Sequence, residues 1–286
     1  MENLRIIGEQ LDRNIFPHVK NGGIVIPSTI SPPSMSLGEE HQNERQKRKR
    51  PTPPWTQPSR RQRTTCKAPS VISSYLKGKY QKELAAIEST YPGTQVWHQE
   101  KGLWLMTESS LLPDQCRKAI FLTAIPYVWP YTIRSWGFWK DVLLAKAQWI
   151  GPRHTNFPDG SICAFEPTDE SWSHKDSIVE LLDIYTLWAL RHFHLEFFGR
   201  WPGRQVVHYS YERMTELNDS ELCGCGNSTQ KYKECCKTKD IALNKIAEMA
   251  RFDAYTGGSQ RIPPKAIVKV IVEQEAPPCI STIMSY

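Results

Sequence analysis

His154-Thr155-Asn156-Phe157-Pro158-Asp159-Gly160-Ser161-Ile162-Cys163 is the stretch around which the rest of this 286-residue chain organises. It sets a cysteine just past a Pro-Asp-Gly turn, seven residues after an asparagine. Gly160 suits the positive φ that such a turn demands. A thiol on a loop, with an amide nearby and no adjacent acid–base pair, suits acyl transfer through a thioester. There the sulfur acts first as nucleophile and then as leaving group, and a hydrogen-bond donor steadies the oxyanion. The same residues admit a plainer reading, in which the Cys of Ile162-Cys163-Ala164-Phe165 is a small buried hydrophobe.

Composition narrows the setting. A hydrophobic fraction of 40% with 10 Trp is enough for a substantial core. No apolar run approaches the roughly 18 residues of a membrane span. Met1-Glu2-Asn3-Leu4 opens no secretory signal. Eight cysteines without such a signal point to thiol chemistry or metal binding rather than a disulfide framework, with the cytoplasm as the expected compartment. The net charge of +6 is unevenly placed: Arg45, Lys47, Arg48, Lys49, Arg50, Arg60, Arg61 and Arg63, against Glu44, give residues 43–63 a charge of +7. The remainder is therefore near neutral. From about Pro27 the chain is rich in Pro, Ser and charge, a composition that cannot repay the entropy of ordering. Residues 1–68 thus read as a largely disordered basic, Pro-rich extension, with short elements near residues 4–7 and 23–26. The Lys47–Arg50 block with Trp55 suits nucleic acid or, in a eukaryotic host, a nuclear import signal; otherwise it is a solvated linker.

Periodicity supplies the elements. Tyr75, Leu76, Tyr80, Leu84 and Ile87 recur at three- and four-residue steps, predicting a helix over 70–90 that Pro92-Gly93 ends. Strand-like runs follow at 94–98, 102–107 and 118–125, the first two joined by Gln99-Glu100-Lys101. A helix followed by an antiparallel meander indicates an α+β fold. Residues 126–131, Pro-Tyr-Val-Trp-Pro-Tyr, read as an extended segment. A long helix is expected over 173–198, capped by Ser173 and stopped by Gly199 and Pro202. Its His192 and His194 are two apart and do not share a face, so they read as ordinary helix residues rather than a metal pair. A short helix over 241–250 and a single strand over 267–272 complete the chain.

This order of parts resembles the ubiquitin-conjugating enzyme fold, in its bacterial branch. Residues 125–131 look like that family's proline segment, His154-Thr155-Asn156 like its His-Pro-Asn motif, and Gly160-Ser161-Ile162-Cys163 like its approach to the nucleophile, with Trp172 nine residues beyond. Thr155 stands where the family has proline, and the Asn-to-Cys gap is short. The resemblance implies a fold of an N-terminal helix, a four-stranded antiparallel meander and C-terminal helices over about 69–215. It implies that Cys163 takes the C-terminal carboxyl of a ubiquitin-like modifier or partner protein as a thioester and passes it to an amine or thiol. Asn156 would donate to the oxyanion or order the loop, and His154 would brace the loop. The implied partners are the modifier, a separate activating enzyme and, as in some anti-phage operons, a cGAS-like nucleotidyltransferase. Asp159 and Asp169 read as turn residues rather than catalytic acids.

A second motif lies downstream. Cys223-Gly224-Cys225 is followed, after nine intervening residues, by Cys235-Cys236. Vicinal cysteines make strained disulfides, whereas four thiolates in fourteen residues suit tetrahedral zinc. Lys231, Lys233 and Lys237 are placed to offset the anionic site. The spacing resembles the zinc motif at the C-terminus of SecA, with Gly224 in place of a proline, and implies a closed, structural zinc knuckle over 219–240 ahead of a C-terminal tail at 241–286. The competing function class is a non-catalytic scaffold that binds protein or nucleic acid through the knuckle and the basic segment.

Overall fold

In the computed structural model, which describes residues 2–25, 70–110, 117–127, 132–141, 146–164, 172–173, 175–225, 229–258 and 261–283, the chain opens with helix α1 (Glu2–Asp12) and a hairpin of β1 (His18–Lys20) and β2 (Gly23–Val25). Helix α2 (Ser70–Thr90) leads into five antiparallel strands: β3 (Gln95–Gln99), β4 (Gly102–Ser109), β5 (Arg117–Pro126), β6 (Arg134–Asp141) and β7 (Lys146–Trp149), paired in that order. Helix α3 (Ile178–Phe198) follows the cysteine loop. Beyond it come α4 (Ser210–Glu216), a 3-10 turn (Tyr232–Glu234), α5 (Lys237–Ile241), α6 (Lys245–Thr256), α7 (Lys265–Val272) and α8 (Ile280–Ile283). The basic run 43–63 and Asp169 lie outside the described residues.

The fold is α+β, as expected, but the meander has five strands rather than four. Strand β5 is buried along nearly its whole length, which requires cover on both faces. Register divides its side chains. Phe121 and Ile125, with Leu103, Leu105 and Trp139, face a core built with α1, α2 and α3, to which Leu4, Ile7 and Leu11 of α1 contribute. Leu122 and Ala124, with Trp104, Trp136 and Phe138, face a second core closed by Ile267 and Val270 of α7 and Ile280 and Ile283 of α8. Gln99 fixes that cover by donating to the Pro278 carbonyl at 3.0 Å and accepting from Ile280 N–H at 2.9 Å.

Two local expectations are corrected. Residues 267–272 are helical, within α7, which covers the second face of the sheet; Ile267 and Val270, three apart, are the residues that pack. Helix α3 starts at Ile178, with Ser177 as its N-cap in a reciprocal capping box with Glu180. Ser173 instead closes a turn, its N–H and hydroxyl both donating to Asp176. Glu83 of α2 adds a carboxylate to the same helix start, accepting from Ile178 N–H at 2.6 Å.

Candidate functional site

The loop from Gly151 to Cys163 folds back on itself. Thr155 pairs with Ile162, Asn156 N–H donates to the Ser161 carbonyl at 2.6 Å, and Cys163 N–H donates to the His154 carbonyl at 3.0 Å. Gly160 takes φ 64°, the left-handed conformation that the turn requires. Cys163 itself is half-buried. It lies near enough to Tyr185 of α3 that a Cys163 thiolate would help burial push that phenol upward.

Both companions of Cys163 are spoken for. The Asn156 side-chain NH2 donates to Ser161 Oγ at 3.2 Å and to the Ile162 carbonyl at 3.0 Å, so it orders the loop. His154 Nε2 is 3.0 Å from Gln205 Oε1, and its ring packs, tilted, against Trp201 with centroids 4.1 Å apart. Burial, then the charge of Arg153, holds His154 well below the usual histidine range. A neutral His154 therefore donates through Nε2–H and acts as a brace. Asp159 is a turn residue: its carboxylate takes the Ser161 N–H and hydroxyl and pairs with Arg134 of β6 at 2.6 Å.

Further anchors hold the loop from outside. Trp188 of α3 donates to the His154 carbonyl at 2.9 Å. Arg261, just ahead of α7, donates to the Pro152 carbonyl at 2.9 Å, pairs with Glu212 and with Glu216 of α4, and stacks at 4.1 Å over Phe157. Arg153 carries the strongest tie. Its guanidinium is bidentate to Glu221, and it also donates to Gln205 Oε1 at 2.8 Å. Glu221 takes two further donors, Trp201 N–H at 2.8 Å and Gln205 Nε2 at 3.2 Å. Side-chain exposure is 7% for Arg153 and 0% for Glu221, so this is a dry ion pair whose charges depend on one another.

Glu221 lies two residues before the second constellation. Cys223, Cys225, Cys235 and Cys236 bring their sulfurs within 4.8 Å of one another, with Cys225 and Cys235 at 3.7 Å and Cys235 and Cys236 at 3.8 Å. Thiolates about 2.3 Å from a tetrahedral ion stand about 3.8 Å apart, so the set can hold a metal ion. Burial pushes the Cys223 and Cys236 thiols up, and a bound cation would displace their protons. Cys223 N–H donates to the Gln230 carbonyl at 2.8 Å and Val207 N–H to the Gly224 carbonyl at 2.6 Å, which bends the chain around the sulfurs.

Of the three lysines expected to offset the thiolates, Lys237 is bound to both oxygens of Asp219, at 2.6 and 2.7 Å. Arg213 of α4 is raised chiefly by Asp240 of α5, to which its guanidinium is bidentate at 2.8 and 2.7 Å, and to a smaller extent by Cys236 and Cys223. Among the described residues the four cysteines are the sole metal-competent group, and His192 and His194 do not join one. His192 packs edge-on to Trp201 at 5.0 Å, and His194 Nδ1 is 3.0 Å from the Arg200 carbonyl.

The sequence reading missed Arg153, Gln205, Glu221, Arg213 and Arg261. Each is an isolated polar residue whose partner lies far along the chain, and no spacing rule links Arg153 to Glu221. No protein-family model, curated protein or solved structure matches this chain. No helix of the described residues is long and apolar enough to cross a membrane.

Proposed function

We propose that the chain is a ubiquitin-conjugating-like acyl carrier that forms a thioester on Cys163 and passes a protein C-terminus to an amine or thiol. The observation that supports this most is the placement of Cys163. It sits half-buried on a loop between the last strand of an antiparallel meander and a long helix, and that loop is anchored to β6, α3, the Arg261 segment and the Glu221 segment. Anchoring of this kind holds a nucleophile in one geometry, which is where much of the rate gain of oriented groups arises. When the activating group is itself a thioester, the Cys163 proton ends on the departing thiolate as sulfur attacks, and the proton of the acceptor amine or thiol ends on the Cys163 sulfur as that leaves, so both steps balance without a base on this loop.

The cysteine knuckle is proposed as a structural zinc site. Cys223, Cys225, Cys235 and Cys236 would fill all four positions, so zinc would supply cross-linking and leave no open position for substrate. The fate of Asn156 supports a second reading, a non-catalytic scaffold, because both of its side-chain donors are used inside the loop.

Replacement by serine separates the two. Cys163→Ser, expressed with its genomic neighbours, should accumulate a protein ester that thiols do not cleave, detected by intact mass. A wild-type protein without any adduct, and a serine variant equally bare, would favour the scaffold.

A further inference from the structure

The two constellations share a wall. Glu221 closes the hairpin that carries the cysteines, since Tyr232 N–H donates to its carbonyl at 2.8 Å and Leu222 pairs with Lys231. Its carboxylate points the other way in function: it takes both terminal nitrogens of Arg153, the residue before His154. The His154 carbonyl in turn accepts Cys163 N–H at 3.0 Å. Gln205 doubles the connection, bonding Glu221, Arg153 and His154 together.

We infer that the cysteine knuckle is a positioning element for the Cys163 loop. Metal in the four-thiolate site fixes the Glu221 hairpin; Glu221 fixes Arg153 and Gln205; these fix His154 and therefore Cys163. The physical reason is that a dry ion pair is close to all-or-none. Once the hairpin loosens and the carboxylate shifts, Arg153 is left as a buried unpaired cation and must move to reach water. Glu221 and Arg153 are then positioning residues, and loss of metal is transmitted to a thiol that takes no part in binding it. The meaning of this linkage for transfer rests on the thioester reading above, but the linkage itself is measurable without any transfer.

The test uses full-length protein and follows alkylation of Cys163 by iodoacetamide, resolved by peptide mass spectrometry, with metal content measured in parallel. Stripping the metal with excess EDTA should speed alkylation of Cys163 by tenfold or more. Glu221→Gln keeps all four cysteines and should retain metal, yet show the fast rate already, with stripping adding less than twofold. Arg153→Lys, which keeps the charge but loses the bidentate geometry, should fall between; it also serves if Glu221→Gln fails to fold. Amide exchange in β4 and β5 should stay slow throughout, separating loop release from unfolding. An unchanged Cys163 rate after confirmed metal loss, or an EDTA effect equally large in wild type and Glu221→Gln, would overturn the inference. A protein that shows the linkage but never an adduct would refute the thioester reading and leave the linkage standing.

Discussion

At Gly224 an added β-carbon would lie 2.6 Å from Cβ of Val207 and 2.8 Å from its backbone nitrogen, closer than packed atoms approach. Gly224→Ala should therefore cost about 1–3 kcal/mol as an overpacking change and lower metal stoichiometry, read by thermal melting and metal analysis. Asn156→Ala should lower stability by about 1–2 kcal/mol through its two lost bonds and leave Cys163 more mobile. Were Asn156 instead an oxyanion donor, transfer would fall about 10²–10³-fold with melting unchanged. His192 is buried and held down to about 3, chiefly by desolvation. Its folded value lies below its unfolded one, so its contribution is present above pH 6.5 and is lost as pH falls toward 3, at a slope of at most about 1.4 kcal/mol per pH unit. His192→Leu should flatten the melting temperature between pH 6.5 and 4 relative to wild type; parallel curves would contradict that. At this scale the sequence disclosed what is local: the left-handed Gly160, the spacing of the cysteines and the plain character of His192. It could not disclose Glu221 as the partner of Arg153, because a salt bridge 68 residues long in sequence leaves no periodic trace.

Elements were legible where their side chains repeat with the period of the element that forms. Helix α2 was expected at the residues it occupies, and β3, β4 and β5 within two residues at every end. Residues 267–272, Ile-Val-Lys-Val-Ile-Val, are β-branched enough to read as a strand, and only the exposed second face of the sheet selects the helix. That choice has a measurable signature. Ile267 is 0% exposed, so Ile267→Ala should cost about 2–4 kcal/mol in chemical denaturation. Val272, at 57% exposed, should tolerate alanine within about 0.5 kcal/mol. Equal costs at the two positions would contradict the helical packing. Strand β6 does not stand out as a run because Gly137 interrupts its pattern; the glycine is there because Trp188 of α3 would lie 2.7 Å from any β-carbon.

Across the whole molecule, residues that looked like a tail complete the structure. Trp104, Trp136 and Phe138 lie beneath α7 and α8, and Arg261 reaches from the same segment to the cysteine loop. Removing residues 261–286 should uncover that aromatic face, lower the melting temperature and increase binding of an apolar dye; unchanged melting would refute it. The opening residues act similarly, since α1 places Leu4, Ile7 and Leu11 in the first core. A helix, an antiparallel meander, a cysteine loop and a second helix thus stand in the order from which acyl transfer is proposed, with the cysteine knuckle bonded to that loop. The most direct measurement is the intact mass of wild-type protein isolated with its genomic neighbours, before and after neutral hydroxylamine. A protein adduct on Cys163 that hydroxylamine removes is the expected result, because it cleaves thioesters and spares disulfides. An adduct that survives hydroxylamine and yields only to reductant, or none at all, would contradict thioester chemistry at this loop.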